Sequence, residues 1–203
     1  RNGYITRMHK FDNIGLDFEP YGMTTEFMRV LAMDFFDPQL AMGAGATVLA
    51  VNPLMLHHEN VDVRLKALKE LVTGEKIGCI CITEPERGSD AVNMTTVATK
   101  DGDSVIYNGE KVYTTNGPKA DYFCTYGVYD TNNPRDTMVQ AMIKRDFGVR
   151  AERLKINSVP RVHIAHTFFE NTKIPNDYIL ADDGLGYVRL FEGLVPERLG
   201  IVN

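Results

Sequence analysis

The sequence predicts an α+β chain: helices first, then a β domain, then the start of another helix. Three observations carry this. Apolar residues recur at helical spacing from about Thr24 to Val72. From Ile77 to about Ile174 the pattern turns to strands, with β-branched and aromatic residues around two Xaa-Gly pairs, Asp101-Gly102 and Asn108-Gly109, both expected as hairpin turns. After Gly184 and Gly186 the helical spacing returns at Val188, Leu190, Phe191, Leu194 and Val195.

Each element has a local cause. Thr24 or Thr25 caps a first helix with Phe27, Val30, Leu31 and Met33 apolar. Asp37-Pro38 starts the next, a capping residue followed by proline at the first helical position. The stretch from Leu40 to Leu56 is rich in Ala, Gly and Met and apolar on most sides, so it is buried or packs closely on another element. Asn60-Val61-Asp62 opens a third helix, with Val63, Leu65, Leu68 and Leu71 apolar and Gly74 closing it. Strand runs fall at 77–83, 93–99, 104–107, 111–115, 121–128, 137–144, 147–154 and 161–169, and Pro175 ends the β unit. The expected divisions are 1–75, 76–180 and 181–203.

Composition narrows the function classes. The 203 residues are 44% hydrophobic, enough to bury a core in one large domain or two small ones. A net charge of −5 without a basic cluster argues against a nucleic-acid binder. The longest apolar run, Leu40–Leu56, is interrupted by Gly43, Gly45 and Pro53, so no membrane span is expected. Cys79, Cys81 and Cys124 sit in apolar strands, and Cys-x-Cys is too tight for a zinc knuckle. They read as reduced core thiols in a reducing compartment. His57-His58-Glu59 offers adjacent side chains about 100° apart on a helix, with no companion cluster, so no metal site is expected. His163 and His166 face opposite sides of a strand region and read as structural or partner-contacting. Arg64, Lys66 and Lys69, offset by Glu70, read as a solvated helix face. The chain starts at Arg1 and stops inside a helical pattern, as a part of a longer protein would.

Two segments carry the chemistry. In residues 81–90, Cys-Ile-Thr-Glu-Pro-Glu-Arg-Gly-Ser-Asp, a β-type run stops at Thr83-Glu84-Pro85 and gives way to a Gly88-Ser89-Asp90 loop. Further on, a second strand ends Lys111-Val112-Tyr113-Thr114-Thr115-Asn116-Gly117. Alternation puts Cys79, Cys81 and Thr83 on one side of the first run, and Lys111, Tyr113 and Thr115 on one side of the second. Each strand delivers a hydroxyl at its end, and the second sets an aromatic ring two residues before it. A flat heteroaromatic ligand needs a ring to pack on and hydroxyls for its polar edge. The N–H groups and the serine of the loop suit a phosphate or pyrophosphate. Taken alone, either segment also reads as ordinary strand residues and an ordinary turn.

Together, in this order and spacing, the two segments resemble the flavin-contacting segments of the acyl-CoA dehydrogenase family. Phe18-Glu19-Pro20-Tyr21-Gly22 is similar to that family's Pro-Glu-x-Tyr-Gly turn, and Phe169-Glu170-Asn171-Thr172-Lys173-Ile174-Pro175 resembles its Phe-Glu-Asp-Val-x-Val-Pro. Gly184-x-Gly186-Tyr187 and Glu197-Arg198-Leu199 resemble the opening of its C-terminal helical bundle. The resemblance implies an N-terminal helical region, a central antiparallel β-barrel-like domain and the start of that bundle. It also implies FAD as cofactor, an acyl-CoA substrate, an electron-transfer flavoprotein as electron acceptor and a homotetramer, in the cytoplasm or the mitochondrial matrix. Residue by residue, Thr83 would bond the pyrimidine side of the flavin and Thr115 would approach its N5. Tyr113 stands where many members have Trp. Ser89 would hold a phosphate of FAD or of the acyl-CoA, and Arg198 would sit near the active site. Two departures stand out: Arg87 replaces the usual small residue before Gly-Ser-Asp, and Pro160 to His166 lacks the Ser-Asp-Thr-like segment common in members.

Dehydrogenation between the α and β carbons of a thioester needs a base for the α proton and an acceptor for the β hydride. Most members of the family place the base further into the bundle, beyond Asn203; isovaleryl-type enzymes place it just before the Arg of Glu-Arg-Leu, where Glu197 stands. A solvated or Arg-paired glutamate is the plainer account of Glu197. Asp34 and Asp37 are lesser candidates, and capping explains Asp37. A same-fold oxidase, monooxygenase or enoyl-CoA reductase, or a flavin-free binding protein, stays open at this point.

Overall fold

The computed structural model describes residues 32–57, 61–182 and 184–201, without the side chains of 56–57 and of 195 onward. The first expected helix, the Phe18–Gly22 turn and His58-Glu59 lie outside the described residues.

Asp37 interrupts the helical residues 32–36 and caps α1 (Pro38–His57), its Oδ1 accepting the N–H groups of Gln39 at 3.1 Å and Leu40 at 3.3 Å. Proline at the first helical position gives up an N–H that had no helical partner. The small residues of α1 let it lie against the first strand, β1 (Gly78–Cys81): a Cβ on Gly78 would stand 2.8 Å from the Cβ of Ala50. The next helix, α2 (Asp62–Thr73), buries Ala67, Leu68, Leu71 and Val72 and ends at Gly74, φ 77°, whose N–H returns to Leu71 O. Its Arg64 donates to the carbonyls of Asp177, at 2.7 Å, and Ile179. That contact docks α2 on the β unit, where a solvated basic face was expected.

After β1 come β2 (Val97–Asp101), β3 (Ser104–Thr115), β4 (Tyr122–Val128), β5 (Met138–Lys144), β6 (Arg150–Leu154), β7 (Ile164–Pro175) and β8 (Ile179–Ala181). They form one 8-stranded sheet in the order β6-β7-β3-β2-β4-β5-β8, with β1 paired to β4 off that path. The sheet is open. Strand β6 pairs with β7 and β8 with β5, and the two ends do not pair with each other, so the barrel-like closure expected from the sequence is not formed. Nor is it wholly antiparallel, because β1 and β2 both run parallel to β4. A parallel pair needs a long crossover, and the β2–β3 hairpin with its flanking loops supplies it.

The two Xaa-Gly pairs behave differently. Asp101-Gly102 makes the expected hairpin, with Asp101 opposite Ser104 and Gly102 at φ 57°. Asn108-Gly109 does not turn: β3 runs through it, and its register against β7 shifts between Tyr107 and Gly109. Glycine is required there by close approach, since a Cβ would fall 2.6 Å from Thr96 Oγ1 and 2.8 Å from Thr96 Cα. Tertiary pairing overrides the local turn preference.

The sheet divides two cores. Leu54, Leu68, Tyr122, Tyr126 and Met142 pack on the helical side, and Cys79, Tyr107, Phe123, Ile143 and Phe169 on the other. Strand β4 is therefore buried along its whole length. All three thiols are free and buried, as expected. The last helix, α3 (Gly186–Ile201), starts hard against β5, where a Cβ on Gly186 would meet Met138 O at 2.1 Å. Among the described residues no helix is long and apolar enough to cross a membrane.

The glycine geometry makes a graded prediction. Gly109→Ala meets Thr96 atoms closer than 3 Å and loses about 2 kcal/mol or more of stability. Gly102→Ala meets nothing within 4 Å and costs about 1 kcal/mol through its positive φ alone. Urea midpoints of the two variants measure the difference, and equal midpoints would contradict the close-approach account.

Candidate functional site

The two segments singled out in the sequence meet where Thr83 and Glu84 lie against β3. Strand β1 ends at Cys81, so Thr83 lies past it and does not extend the Cys79–Cys81 face as expected. Its carbonyl instead accepts the N–H of Val112 at 2.8 Å. Directly beside this bond Lys111 Nζ donates to Ile82 O at 3.2 Å and to Glu84 Oε1 at 2.8 Å. The Glu84 carboxylate also accepts from Thr95 N–H at 2.6 Å, Thr95 Oγ1 at 2.7 Å and Thr96 N–H at 2.9 Å. The ion pair is dry, with the Lys111 side chain 0% and that of Glu84 2% exposed.

Burial pushes the Glu84 carboxyl up, but the Lys111 ammonium and the hydrogen bonds of Thr95 and Thr96 outweigh it and hold the group at about 2. For Lys111 the balance runs the other way: burial lowers its pKa by more than the Glu84 charge raises it. Sequence reasoning missed this pair. The available signal was a lysine inside an otherwise buried strand, which needs a partner.

Past Lys111 the strand bulges again, its register against β7 shifting between Lys111 and Thr114. Tyr113 takes φ 58°, uncommon for an aromatic residue, and its side chain is 63% exposed. The bulge breaks the alternation expected for Lys111, Tyr113 and Thr115: Lys111 and Thr114 turn inward, and Tyr113 turns out. Thr114 Oγ1 meets Cys81 Sγ at 3.7 Å, whereas the half-buried Thr83 and Thr115 have no side-chain hydrogen bond among the described residues. Asn116, at φ 69°, donates from Nδ2 to Gly43 O at 2.7 Å and Gly78 O at 3.3 Å, and its N–H donates to His163 O at 2.6 Å. This one side chain ties the end of β3 to both α1 and β1.

The loop after Glu84 begins as a tight turn, with Glu84 N–H donating to Arg87 O at 2.9 Å and Arg87 N–H returning to Glu84 O at 3.1 Å around Pro85. Ser89 is exposed, and the N–H groups of Gly88 and Ser89 have no acceptor among the described residues. A Cβ on Gly88 would meet nothing within 4 Å, so the loop is open on that side. An exposed ring, two unengaged hydroxyls and an open loop of free N–H groups suit a flat heteroaromatic ligand with a phosphate tail.

The remaining candidates separate cleanly. Glu197 and Arg198 belong to α3, but their side chains lie outside the described residues. Asp37 is a cap that also pairs with Arg161 at 2.9 Å, which accounts for it without chemistry. His166 Nε2 lies 2.6 Å from Glu110 Oε2 and its ring stacks on Phe168, while His163 Nδ1 is buried without a hydrogen-bond partner among the described residues. Among the described residues no group of His, Cys, Asp and Glu could hold a metal ion.

The Glu84–Lys111 pair predicts an acid-labile fold. A carboxyl depressed to about 2 contributes stability that is fully present above its ordinary 4.5 and is lost as pH falls through about 2. Urea midpoints followed from neutral pH down to acid should fall less steeply for Glu84→Gln than for the parent. Lys111→Ala strands a buried carboxylate and costs about 3–5 kcal/mol at neutral pH. A parallel acid limb in Glu84→Gln would show that other groups govern the acid response.

Residues 79–172 match the family model for the acyl-CoA dehydrogenase middle domain. Over 159 residues the chain is 31% identical to acyl-CoA dehydrogenase AFT10-1 of Alternaria alternata, covering 78% of this chain and 36% of that protein. Over 162 residues it is 30% identical to the mitochondrial isovaleryl-CoA dehydrogenase of Oryza sativa subsp. japonica, covering 79% of this chain and 39% of that one. The solved acyl-CoA dehydrogenase from Geobacillus kaustophilus superposes with a TM-score of 0.81 at 28% identity, over 98% of this chain and 53% of that chain. The chain therefore spans well under half the length of these curated relatives. The matched stretch runs from β1 almost to the end of β7 and includes both bulges, the Glu84–Lys111 pair and the open loop. This chain belongs to the acyl-CoA dehydrogenase family.

Proposed function

We propose that the protein to which this chain belongs carries out FAD-dependent α,β-dehydrogenation of an acyl-CoA thioester. The observation that supports the reading is the Val112–Thr83 hydrogen bond, which joins the segment bearing the exposed Tyr113 ring and the unengaged Thr115 hydroxyl to the one bearing Thr83 and the open Gly88-Ser89 loop. Tyr113 would give the isoalloxazine a face to pack on, in place of the indole many members use. Thr83 would serve the pyrimidine edge, Thr115 the N5 side, and Ser89 a phosphate of FAD or of the acyl-CoA. Bound FAD supplies the acceptor for the hydride of the β carbon.

The protein's own part is orientation and proton transfer. Glu197 is this chain's candidate for taking the α proton; in most members of the family the base lies further into the bundle, beyond Asn203. The place of Glu197 immediately before Arg198 matches the position that isovaleryl-type members use, and an isovaleryl-CoA dehydrogenase is among the relatives. Arg198, on the same helix, would contact the substrate, as the family resemblance implies. Residues 1–75, 76–180 and 181–203 would be the end of an N-terminal helical domain, the middle β domain and the start of a C-terminal bundle. The family resemblance supports a homotetramer that passes its electrons to an electron-transfer flavoprotein, in the cytoplasm or the mitochondrial matrix.

Anaerobic titration of the full-length protein with a panel of acyl-CoAs tests this, read at the oxidised-flavin band near roughly 450 nm. Bleaching by one acyl class is expected and names the acyl group. Bound flavin that no acyl-CoA bleaches would move the assignment to a same-fold monooxygenase or reductase, and a protein without flavin would end it. Glu197→Gln should keep the flavin and lose roughly 10²–10⁴ in the rate of bleaching. An unaltered rate places the base elsewhere.

A further inference from the structure

The loop between β1 and β2 holds a cation that the proposed reaction does not use. Arg87 donates from Nε to Asn93 O at 3.1 Å and from Nη1 to Glu86 O at 3.4 Å. Both acceptors are neutral carbonyls, and Nη2 has no acceptor among the described residues. Among the described residues no carboxylate forms an ion pair with it: Glu84 faces Lys111, both oxygens of Asp90 accept Asn93 Nδ2 at 2.9 Å, and Glu86 is exposed, so the last two keep their negative charge within the loop. The guanidinium is thus held by its own loop without a direct ion-pair partner among the described residues. The next two residues are Gly88 and Ser89, whose N–H groups are free and whose surroundings are open.

Neutral N–H groups and a serine hydroxyl suffice to cradle a phosphate. A fixed guanidinium adds charge and a planar fork that matches phosphate oxygens. We propose that Arg87 is a pyrophosphate-binding residue, supplying a charged contact where the family resemblance implies a small side chain. The inference rests on the reading of this loop as part of a site for FAD and acyl-CoA, both of which carry a pyrophosphate.

The test compares the full-length parent with Arg87→Ala for FAD and riboflavin binding by flavin fluorescence, and for the KM of acyl-CoA against that of the matching acyl-pantetheine. If the pyrophosphate is that of FAD, Arg87→Ala weakens FAD by roughly ten- to a hundredfold and flattens its salt dependence, leaving riboflavin unchanged. If it is that of the substrate, FAD affinity holds, and the KM for acyl-CoA rises by a similar factor while that for acyl-pantetheine does not. An unchanged variant overturns the proposal, and so does an equal loss for riboflavin, which would mean that Arg87 only braces its loop. A parent that binds neither flavin nor acyl-CoA overturns the function reading and this inference with it. A parent that binds both, with an indistinguishable variant, removes Arg87 alone.

Discussion

Lys111 sits in the middle of the sheet shut off from solvent, and its only ion-pair partner among the described residues is Glu84. Such a pair is no bargain in stability, because a well-packed apolar pair of similar volume does as well or better. Its contribution is positional. The Glu84 carboxylate reaches across the loop that follows it and takes up Thr95 and Thr96, so one side chain closes residues 84–96 into a loop with fixed ends. Lys111 then fastens that closure to β3 and, through Ile82 O, to the end of β1. An error of one residue in register would leave two buried charges and several donors unmatched. The arrangement therefore admits one register.

Fixed ends make the irregular backbone downstream affordable. Within four residues, Tyr113 and Asn116 both adopt positive φ, at about 1–3 kcal/mol each for non-glycine residues. Asn116 tolerates that region and recovers part of the cost through its hydrogen bonds to Gly43 O, Gly78 O and Thr47 Oγ1. Tyr113 has no such compensation within the described residues. Its conformation persists because Val112 is pinned to Thr83 on one side and Thr115 is paired to Ile164 on the other.

Much of this could be read from the residues. Asp37-Pro38, Gly74 and Asp101-Gly102 act through contacts within a few positions, and each performed as its local chemistry required. The two segments proposed to face the ligand are defined by residue type, since a ring, hydroxyls and a glycine-serine loop can be read from the sequence alone. What sequence could not convey depends on distant atoms. Asn108-Gly109 carries a hairpin signature, yet Thr96 presses on the glycine and β7 pairs across it, so the chain runs straight. Alternation failed at Tyr113 because the bulge is set by pairing with β7 rather than by residues 111–115. Barrel closure failed for a similar reason. The count of strands says nothing about whether β6 and β8 meet, and the parallel placement of β1 and β2 beside β4 leaves them apart.

The positive-φ residues Tyr113 and Asn116 flank Thr115, whose hydroxyl has no hydrogen bond among the described residues. Inward of the bulge the charged groups are matched, Lys111 by Glu84 and Glu84 by four donors, and Thr114 meets the Cys81 sulfur, while the hydroxyls of Thr96 and Thr167 are buried without a hydrogen bond among the described residues. Outward of it, Thr83 and Thr115 keep hydroxyls without hydrogen bonds among the described residues, and the Tyr113 ring is exposed rather than packed in either core. Hydrophobic burial alone would have drawn that ring inward, and simple alternation would have avoided the positive φ. The polar tie beneath it holds the ring out. Under the proposed function, strain that keeps the Tyr113 ring exposed serves preorganisation, because the ring is held out before a flat partner arrives.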